Sequence, residues 1–425
     1  MRLSDPPAPS YYALNDAWAP REPLRGELSA DVAVLGGGIA GCSAALHLAA
    51  RGYRVVLLEA RSIGYGASGR SGGQTIFGLA VGQQKLATEV GRDDARRLFQ
   101  LSVEALDLTQ SLIRDHAIEC DYRPNHVHVA VKPRHVRELD QWSRELREDY
   151  GYDSRLLNRD ELQEHVRSTR YLSGLLDPRS GHLQPLKYTQ GVARAAEAAG
   201  AIIHENSEVL RYEDGAEVRV HTAHGTVRCA HLVLCGNAYI GAVAPSLARR
   251  ILGVGTYIIA TEPIGEERAR GLLPGNAAVA DINWILDYFR RSADHRLLFG
   301  GRVSYSSVQP PRLADSMRRR MVRVFPGLAD VKVAQAWGGY LDITLSRAPN
   351  FGKLAPNVYY LQGFSGHGVA LAGLAGKLSA EAIAGTAERF DVFARIPHRD
   401  FPGGPLLRRP SLVLAMLYYR LRDLL

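Results

Sequence analysis

Apolar positions in residues 31–60, DVAVLGGGIAGCSAALHLAARGYRVVLLEA, change their period twice. VAVL is a short continuous run, IAGCSAALHLAA is apolar or small almost all round, and VVLL is a second short run closed by Glu59 and Ala60. Runs of that length beside glycines predict buried strands, and the stretch between them predicts a helix buried on most sides. The same signature returns at VYYLQ, 358–362, followed by a glycine turn and the helical run VALAGLAGKLSAEAIAG. Between these, 187–199 predicts a helix stopping at Gly200, before strand-like AIIH and then Ser207-Glu208-Val209-Leu210. HLVLC at 231–235 predicts a parallel strand opening into Gly236-Asn237-Ala238. Two interleaved stretches mix helical periodicity at 95–116 and 134–150 with strand-like runs at 126–131, 255–261 and 296–301. There is no internal repeat and no low-complexity tract.

Length and composition narrow the class. A chain of 425 residues, 46% hydrophobic and 23% charged, suits about two globular domains. No apolar run reaches the roughly 20 residues that span a bilayer. The opening MRLSDPPAPSYY places Asp and Pro where a secretory leader needs an apolar stretch, so the expected location is the cytoplasm. Cys42, Cys120, Cys229 and Cys235 have neither CxxC spacing nor a disulfide framework and read as buried thiols in a reducing compartment. The net charge of +8 is spread along the chain, which excludes a nucleic-acid stripe and tolerates an anionic ligand. No metal site is expected.

The turn Gly36-x-Gly38-x-x-Gly41 gives the first unit its chemistry. Gly36 permits a turn too tight for a Cβ, Gly38 lets backbone approach a pyrophosphate, and Gly41 lets the helix pack close on the strand. The helix N-terminus at Ile39 and Ala40 then aims free N–H groups and its positive dipole end at phosphates. Glu59, followed by Ala60 and Arg61, ends the second strand where a carboxylate accepts hydrogen bonds from ribose hydroxyls. A second glycine-rich segment follows, with Gly66, Ala67, Ser68, Gly69, Arg70, Ser71, Gly72, Gly73 and Gln74. It lets backbone follow a cofactor buried lengthwise, with serine hydroxyls and one cation as donors; the other reading is a flexible surface loop. The third segment, Gly363-Phe364-Ser365-Gly366-His367-Gly368-Val369, puts another helix N-terminus at a glycine turn. Val209, Gly236, Asn237 and Arg347 complete the expected cofactor contacts. Glycine turns some 320 residues apart imply a binding domain assembled from distant segments, which favours FAD over NAD.

The expected fold class is therefore α/β. A discontinuous Rossmann-like FAD-binding domain (29–78, 186–246 and 336–390) is capped over the flavin by an α+β substrate domain (79–185 and 247–335). Residues 1–28 form an N-terminal arm and 391–425 a C-terminal tail.

DVAVLGGGIAG, IGYGASGRSGGQ and LQGFSGHGV in this discontinuous layout resemble the D-amino-acid-oxidase-type family of FAD amine oxidases. Within it the chain is most similar to the gamma-glutamylputrescine oxidases of bacterial polyamine catabolism. SYY, CDYRP at 120–124, GNAY at 236–239, LDYFR at 286–290, ADHRLLFGG at 293–301, TLSRAPNFGKL at 344–354 and FPGG at 401–404 extend the resemblance over nearly the whole chain. The resemblance implies oxidation of the terminal primary amine of a gamma-glutamylated diamine by molecular oxygen, giving aldehyde, ammonia and hydrogen peroxide. Sarcosine oxidases carry a carboxylate-gripping Lys after the GHG turn, where this chain has Ala370. Glycine and D-amino-acid oxidases place an Arg near WGGYL at 337–341, which has none. An unpaired buried carboxylate is costly, so the site suits an amine, with Arg347 as the one candidate substitute grip. The absence of Cys in 330–350 and of His in 60–80 implies non-covalent FAD.

The amine must lose its proton before hydride leaves the α-carbon, and a dry aromatic pocket favours the neutral form. Tyr257, Trp284, Tyr288, Trp337 and Tyr340 are candidate pocket liners, with core packing as the alternative for each. His367, Trp337 and Tyr288 are the expected catalytic positions, His367 as a polar group facing the flavin rather than a general base. The tail LLRRPSLVLAMLYYRLRDLL flanks apolar residues with Arg408, Arg409, Arg420 and Arg422. It reads either as a helix packed on the FAD domain or as a peripheral membrane contact. The second reading would make the enzyme a dehydrogenase passing electrons to quinone.

Overall fold

The computed structural model describes residues 9–14, 17–304 and 311–402, so the run at 406–425, read as a packed helix or a membrane contact, lies outside the described residues. Two sheets organise the chain. In the first, Gly26–Leu35 is the central strand. It runs parallel to Val55–Leu58 on one side and to Gly225–Leu234 on the other. Ile202–His204 extends the sheet beyond Val55–Leu58, and Val358–Gln362 extends it beyond Gly225–Leu234, both in parallel. Asn350–Ala355 closes that edge as an antiparallel hairpin partner. Val55–Leu58 and Val358–Gln362 are buried at every position, as strands covered on both faces must be.

The covering helices are built for close approach. In Ile39–Ala49 every residue except His47 is buried, so this helix has no solvent face. It crosses Gly368–Ile383, where a Cβ on Gly376 would stand 2.5 Å from both the Ala40 carbonyl oxygen and the Ala44 nitrogen. Ser43 Oγ donates to the Gly373 carbonyl at 2.6 Å, fixing the register of the pair. Pro185–Ala198 and Arg92–Asp115 complete the layer.

The second sheet is mostly antiparallel, in the order Val333–Thr344, Ile251–Thr261, Leu297–Ser304, Tyr288–Arg291, Ala278–Asp281, Arg123–Ala130, Ser173–His182 and Gln74–Thr75. Strand alternation divides its side chains between two faces. Val127, Val129, Ile259, Phe289 and Phe299 pack outward with Met317 and Met321 of the helix Leu313–Val324. Ile258, Leu298, Trp337 and Tyr288 point inward, towards the first sheet's helices, and pack with Tyr12 and Leu186.

Strand pairing draws the borders differently from the sequence reading. Val333–Thr344 and Gln74–Thr75 belong to the second sheet, although 336–390 and 29–78 were assigned to the FAD-binding domain. An apolar strand suits either sheet locally, and only its partners decide. Gly26–Leu28 lies in the central strand rather than in an arm, and the helix Glu388–Ala394 crosses the expected start of the tail. Tyr257 faces the outer core and not a pocket.

Candidate active site

The first glycine turn is enforced by backbone crowding. Gly36 has φ +101°, and a Cβ there would lie 2.6 Å from the Cys235 carbonyl oxygen of the neighbouring strand. A Cβ on Gly41 would lie 1.9 Å from the Gly36 carbonyl oxygen, so the helix can start only with glycine there. The Ile39 N–H donates to Ser68 Oγ at 3.0 Å, tying the helix start to the second glycine segment. Glu59 Oε2 accepts from the Gly37 N–H at 2.6 Å and Oε1 from the Arg61 N–H at 2.9 Å. Burial raises the Glu59 carboxyl above its usual range, and those N–H bonds oppose the rise.

The segment 61–74 is held from both sides rather than free at the surface. Ser10 Oγ donates to the Gly69 carbonyl at 2.9 Å and Tyr12 OH to the Ser71 carbonyl at 3.0 Å. Trp337 Nε1 donates to the Arg70 carbonyl at 2.9 Å, and Arg290 Nε to the Gly72 carbonyl at 2.6 Å. The ring of Tyr288 lies against Gly72 and Gly300; a Cβ at either position would come within 2.6 Å of it. Arg70 is buried, and its guanidinium donates to the carbonyls of Tyr65 and Gly338.

The third turn is bound to the second sheet. The Asp342 carboxylate accepts from the Gly363 N–H, and the Ser365 N–H donates to the Asp342 carbonyl at 3.1 Å. Burial pushes the Asp342 carboxyl up to about 7, against the pull of the backbone N–H groups. Arg347 Nη2 donates to the Ser365 carbonyl at 3.4 Å, and its guanidinium lies 6.0 Å over the Trp284 ring. His367 is the residue before the helix Gly368–Ile383. Burial, then the nearby Arg347 charge, brings its imidazole down to about 4, so the ring is neutral at pH 7.

These pieces enclose a cavity of about 300 Å³, within the roughly 300–1,000 Å³ of an ordinary small-molecule site. Gly36, Gly38, Ile39, Ala40, Glu59, Ala60, Arg61, Gly66, Ala67, Ser68, Ser71, Val209, Gly236, Asn237, Gly366, Gly368 and Val369 line it. Gly41, Gly69, Arg70, Gly72, Gly73, Gln74, Arg347, Gly363, Ser365 and His367 are not among its lining residues. Trp337, Tyr288 and Tyr340 are also off this wall, and Trp284 is 45% exposed rather than buried in a pocket. The sequence reading missed Tyr65, Glu208, Leu210, Cys235, residues 239–243, Leu341, Asp342 and Phe364 as lining residues. GNAY offered a signal for 239–243; Asp342 offered none, being one acid in an apolar strand.

Two helix N-termini and a carboxylate on one cavity wall fit a dinucleotide. The profile of the DAO family, FAD dependent oxidoreductases, matches residues 31–382. The chain belongs to this family. As a DAO-family protein it is an FAD-dependent oxidoreductase. It is 41% identical to the Gamma-glutamylputrescine oxidoreductase of Escherichia coli K12, over 97% of this chain and 98% of that one. It is 39% identical to the Probable oxidoreductase OrdL of Haemophilus influenzae, over 93% and 92%. Among solved structures, glycine oxidase from Bacillus cereus superposes with TM-score 0.73 at 22% identity, covering 87% of this chain and 99% of that one. L-amino acid deaminase from Proteus vulgaris gives 0.72 at 20%, covering 89% and 95%. These last two show that the DAO-family fold is shared. Among the described residues, no helix is long and apolar enough to cross a membrane, no cluster of three metal-ligating side chains occurs, and all four cysteines are free and buried.

Proposed function

We propose that this enzyme oxidises a primary amine, gamma-glutamylputrescine, to an aldehyde with release of ammonia and hydrogen peroxide. The observation that carries the reading is the similarity to the Escherichia coli Gamma-glutamylputrescine oxidoreductase over nearly the full length of both chains. The missing carboxylate grips support it. Ala370 is 2% exposed in the first turn of its helix, with no cationic side chain to offer. Arg290, buried on the inner face, is a cation that the motif comparison overlooked, but it donates to the Gly72 and Arg291 carbonyls and to Tyr12 OH. Its bonds organise the 61–74 segment instead of awaiting a substrate anion.

In this reading the N–H groups of the turn at Gly36–Ala40 would hold the pyrophosphate of FAD and Glu59 a ribose, with the turn at Gly366–Val369 supplying a second helix N-terminus. The bound flavin supplies the two-electron acceptor that amino-acid side chains lack. The buried inner face of the second sheet excludes water and favours the neutral amine, which alone has a lone pair to push as hydride departs. The α-carbon gives up hydride and the nitrogen a proton. Water then hydrolyses the imine, so amine, oxygen and water become aldehyde, ammonia and hydrogen peroxide. Free buried thiols are in keeping with action in the cytoplasm.

The test is anaerobic mixing with gamma-glutamylputrescine, putrescine, sarcosine and D-alanine, following flavin bleaching, then oxygen uptake and peroxide yield. Fastest bleaching by gamma-glutamylputrescine with stoichiometric peroxide is expected. Faster reduction by sarcosine or D-alanine would refute the amine assignment, and dye reduction without oxygen uptake would make the protein a dehydrogenase.

A further inference from the structure

We propose that residues 18–24 form a clasp on the cofactor site, anchored by the carboxylate of Glu205, and that this clasp sets how slowly FAD leaves. The inference concerns cofactor retention and holds whichever substrate the enzyme oxidises.

Glu205 follows the strand Ile202–His204 and is 0% exposed. A carboxylate so far from water is costly unless donors surround it. Its Oε1 accepts from Trp18 Nε1 at 2.9 Å and from the Ile63 N–H at 2.5 Å, and Oε2 accepts from the Arg21 N–H at 2.7 Å. Trp18 and Arg21 thus supply two of these three donors, and the segment after Glu59 supplies the third. The Arg21 side chain is committed elsewhere: Nε and Nη2 each donate to the Glu197 carboxylate at 2.7 Å, and the guanidinium lies 4.0 Å over the Trp18 ring. Further along, the Leu24 N–H donates to Ser207 Oγ at 2.9 Å.

The strip that carries Glu205 is also laced to the cavity wall. The Glu59 N–H donates to the His204 carbonyl at 2.9 Å, the Asn206 N–H to the Arg61 carbonyl at 2.9 Å, and the Ser207 N–H to the Glu59 carbonyl at 2.8 Å. Glu59, Ala60 and Arg61 line the cavity. Ile63 carries the connection to the first glycine turn. Its Cδ1 would stand 2.5 Å from a Cβ on Gly37, and the neighbouring Gly64 N–H donates to the Gly37 carbonyl at 2.9 Å. Gly36 and Gly38, on either side, line the cavity. Direct contacts therefore run without a gap from Trp18 and Arg21, through Glu205 and Ile63, to the turn that faces the cofactor.

Were the clasp to lift, Glu205 would keep only the Ile63 donor. A buried anion so stripped must draw in water or move, and either response loosens Ile63 and the wall it braces. A cofactor that fills the cavity does the reverse, pinning the wall and holding Glu205 where Trp18 and Arg21 can reach it. Clasp docking and FAD retention are thus two faces of one equilibrium, and such coupling is reciprocal. Glu205 is in this sense a positioning residue, acting on the cofactor through Ile63.

Trp18→Phe tests this by keeping a ring under Arg21 while removing one donor from Glu205, with every wall residue unchanged. Glu205→Gln keeps the size but sets an amide group against incoming N–H groups. Release of FAD from each loaded protein is followed after dilution by the growth of free-flavin fluorescence. Release about tenfold faster than in wild type is expected for Trp18→Phe, and faster still for Glu205→Gln. If Glu205→Gln does not fold, Trp18→Phe and the wild-type measurement that follows decide. In wild type, hydrogen exchange of the Trp18 indole N–H and the Arg21 amide, read by NMR, should quicken when FAD is removed, more than that of amides in the distant helix Leu313–Val324. Release from Trp18→Phe at the wild-type rate, or exchange at Trp18 and Arg21 that quickens no more than in that helix, would overturn the proposal and leave Glu205 a purely structural anchor.

Discussion

A single added carbon at Gly41 would sit 1.9 Å from the Gly36 carbonyl oxygen, inside any permissible contact, and both partners are backbone. Neither can rotate away, so the strand and the helix start would have to part. Gly41→Ala should therefore emerge colourless, with at least about tenfold less bound FAD per chain, read as the ratio of absorbance near 450 nm to that at 280 nm. Such positions are legible in a sequence because their constraint is local: glycine spacing, strand and helix lie within thirty residues. Asp342 was illegible because nothing near it in sequence shows that it lines the same wall. Trp337 and Tyr257 show the limit from the other side. Both are large aromatics on neighbouring strands, and only the alternation of an established sheet sends one inward and the other outward.

Among the elements, the short segment around Tyr11–Ala13 does more than its length suggests. Tyr12 is buried with its ring edge-on to Trp337, donates to the Ser71 carbonyl and accepts from Arg290 Nη2 at 3.0 Å. One hydroxyl therefore joins the chain start, the glycine segment 61–74 and the second sheet. Tyr12→Phe keeps the packing and removes both bonds, leaving a buried carbonyl and a buried guanidinium less satisfied. A loss of about 1–3 kcal/mol is expected, with a calorimetric midpoint lowered by about 1–3 °C for a chain of this length. Unchanged stability and FAD retention would show that the segment is merely draped over the loop. Gly376→Val probes the helix crossing in the same way, since added bulk meets Ala40 and Ala44 backbone; a larger loss is expected, about 3 kcal/mol by the scale of overpacking, read by the same calorimetry. Helices were the easiest elements to read, because an all-apolar or 3.6-residue pattern survives without knowledge of partners. Sheet membership was the hardest, as Val333–Thr344 shows.

At the scale of the whole molecule, buried neutral histidines tie folding to pH. Burial, with Arg290 nearby, brings the His182 ring down to about 3, whereas an unfolded chain offers a value near 6.5. Between those values the unfolded state holds a proton that the folded state refuses, so stability falls as pH drops below about 6.5. At pH 5 that is about 2 kcal/mol for this one ring. Asp281 and Asp342, pushed up to about 7 by burial, act in the opposite direction, so the ring's share is best isolated as a difference. His182→Gln keeps a donor for the Asn276 carbonyl and removes the proton site. Its midpoint should fall less than that of wild type between pH 7 and pH 5, by about 2 °C; parallel curves would refute the assignment. The two helices whose starts border the cavity, Ile39–Ala49 and Gly368–Ile383, begin 329 residues apart. On a ribosome adding about 5–20 residues per second, the second helix is made some tens of seconds after the first. Until then Gly225–Leu234 has an open flank where Val358–Gln362 will pair, and the nascent chain cannot close around its cofactor. Colour should therefore appear only late in synthesis, and a chain stalled or terminated before Gly368–Ile383 should be an apoprotein exposed to chaperones and proteases.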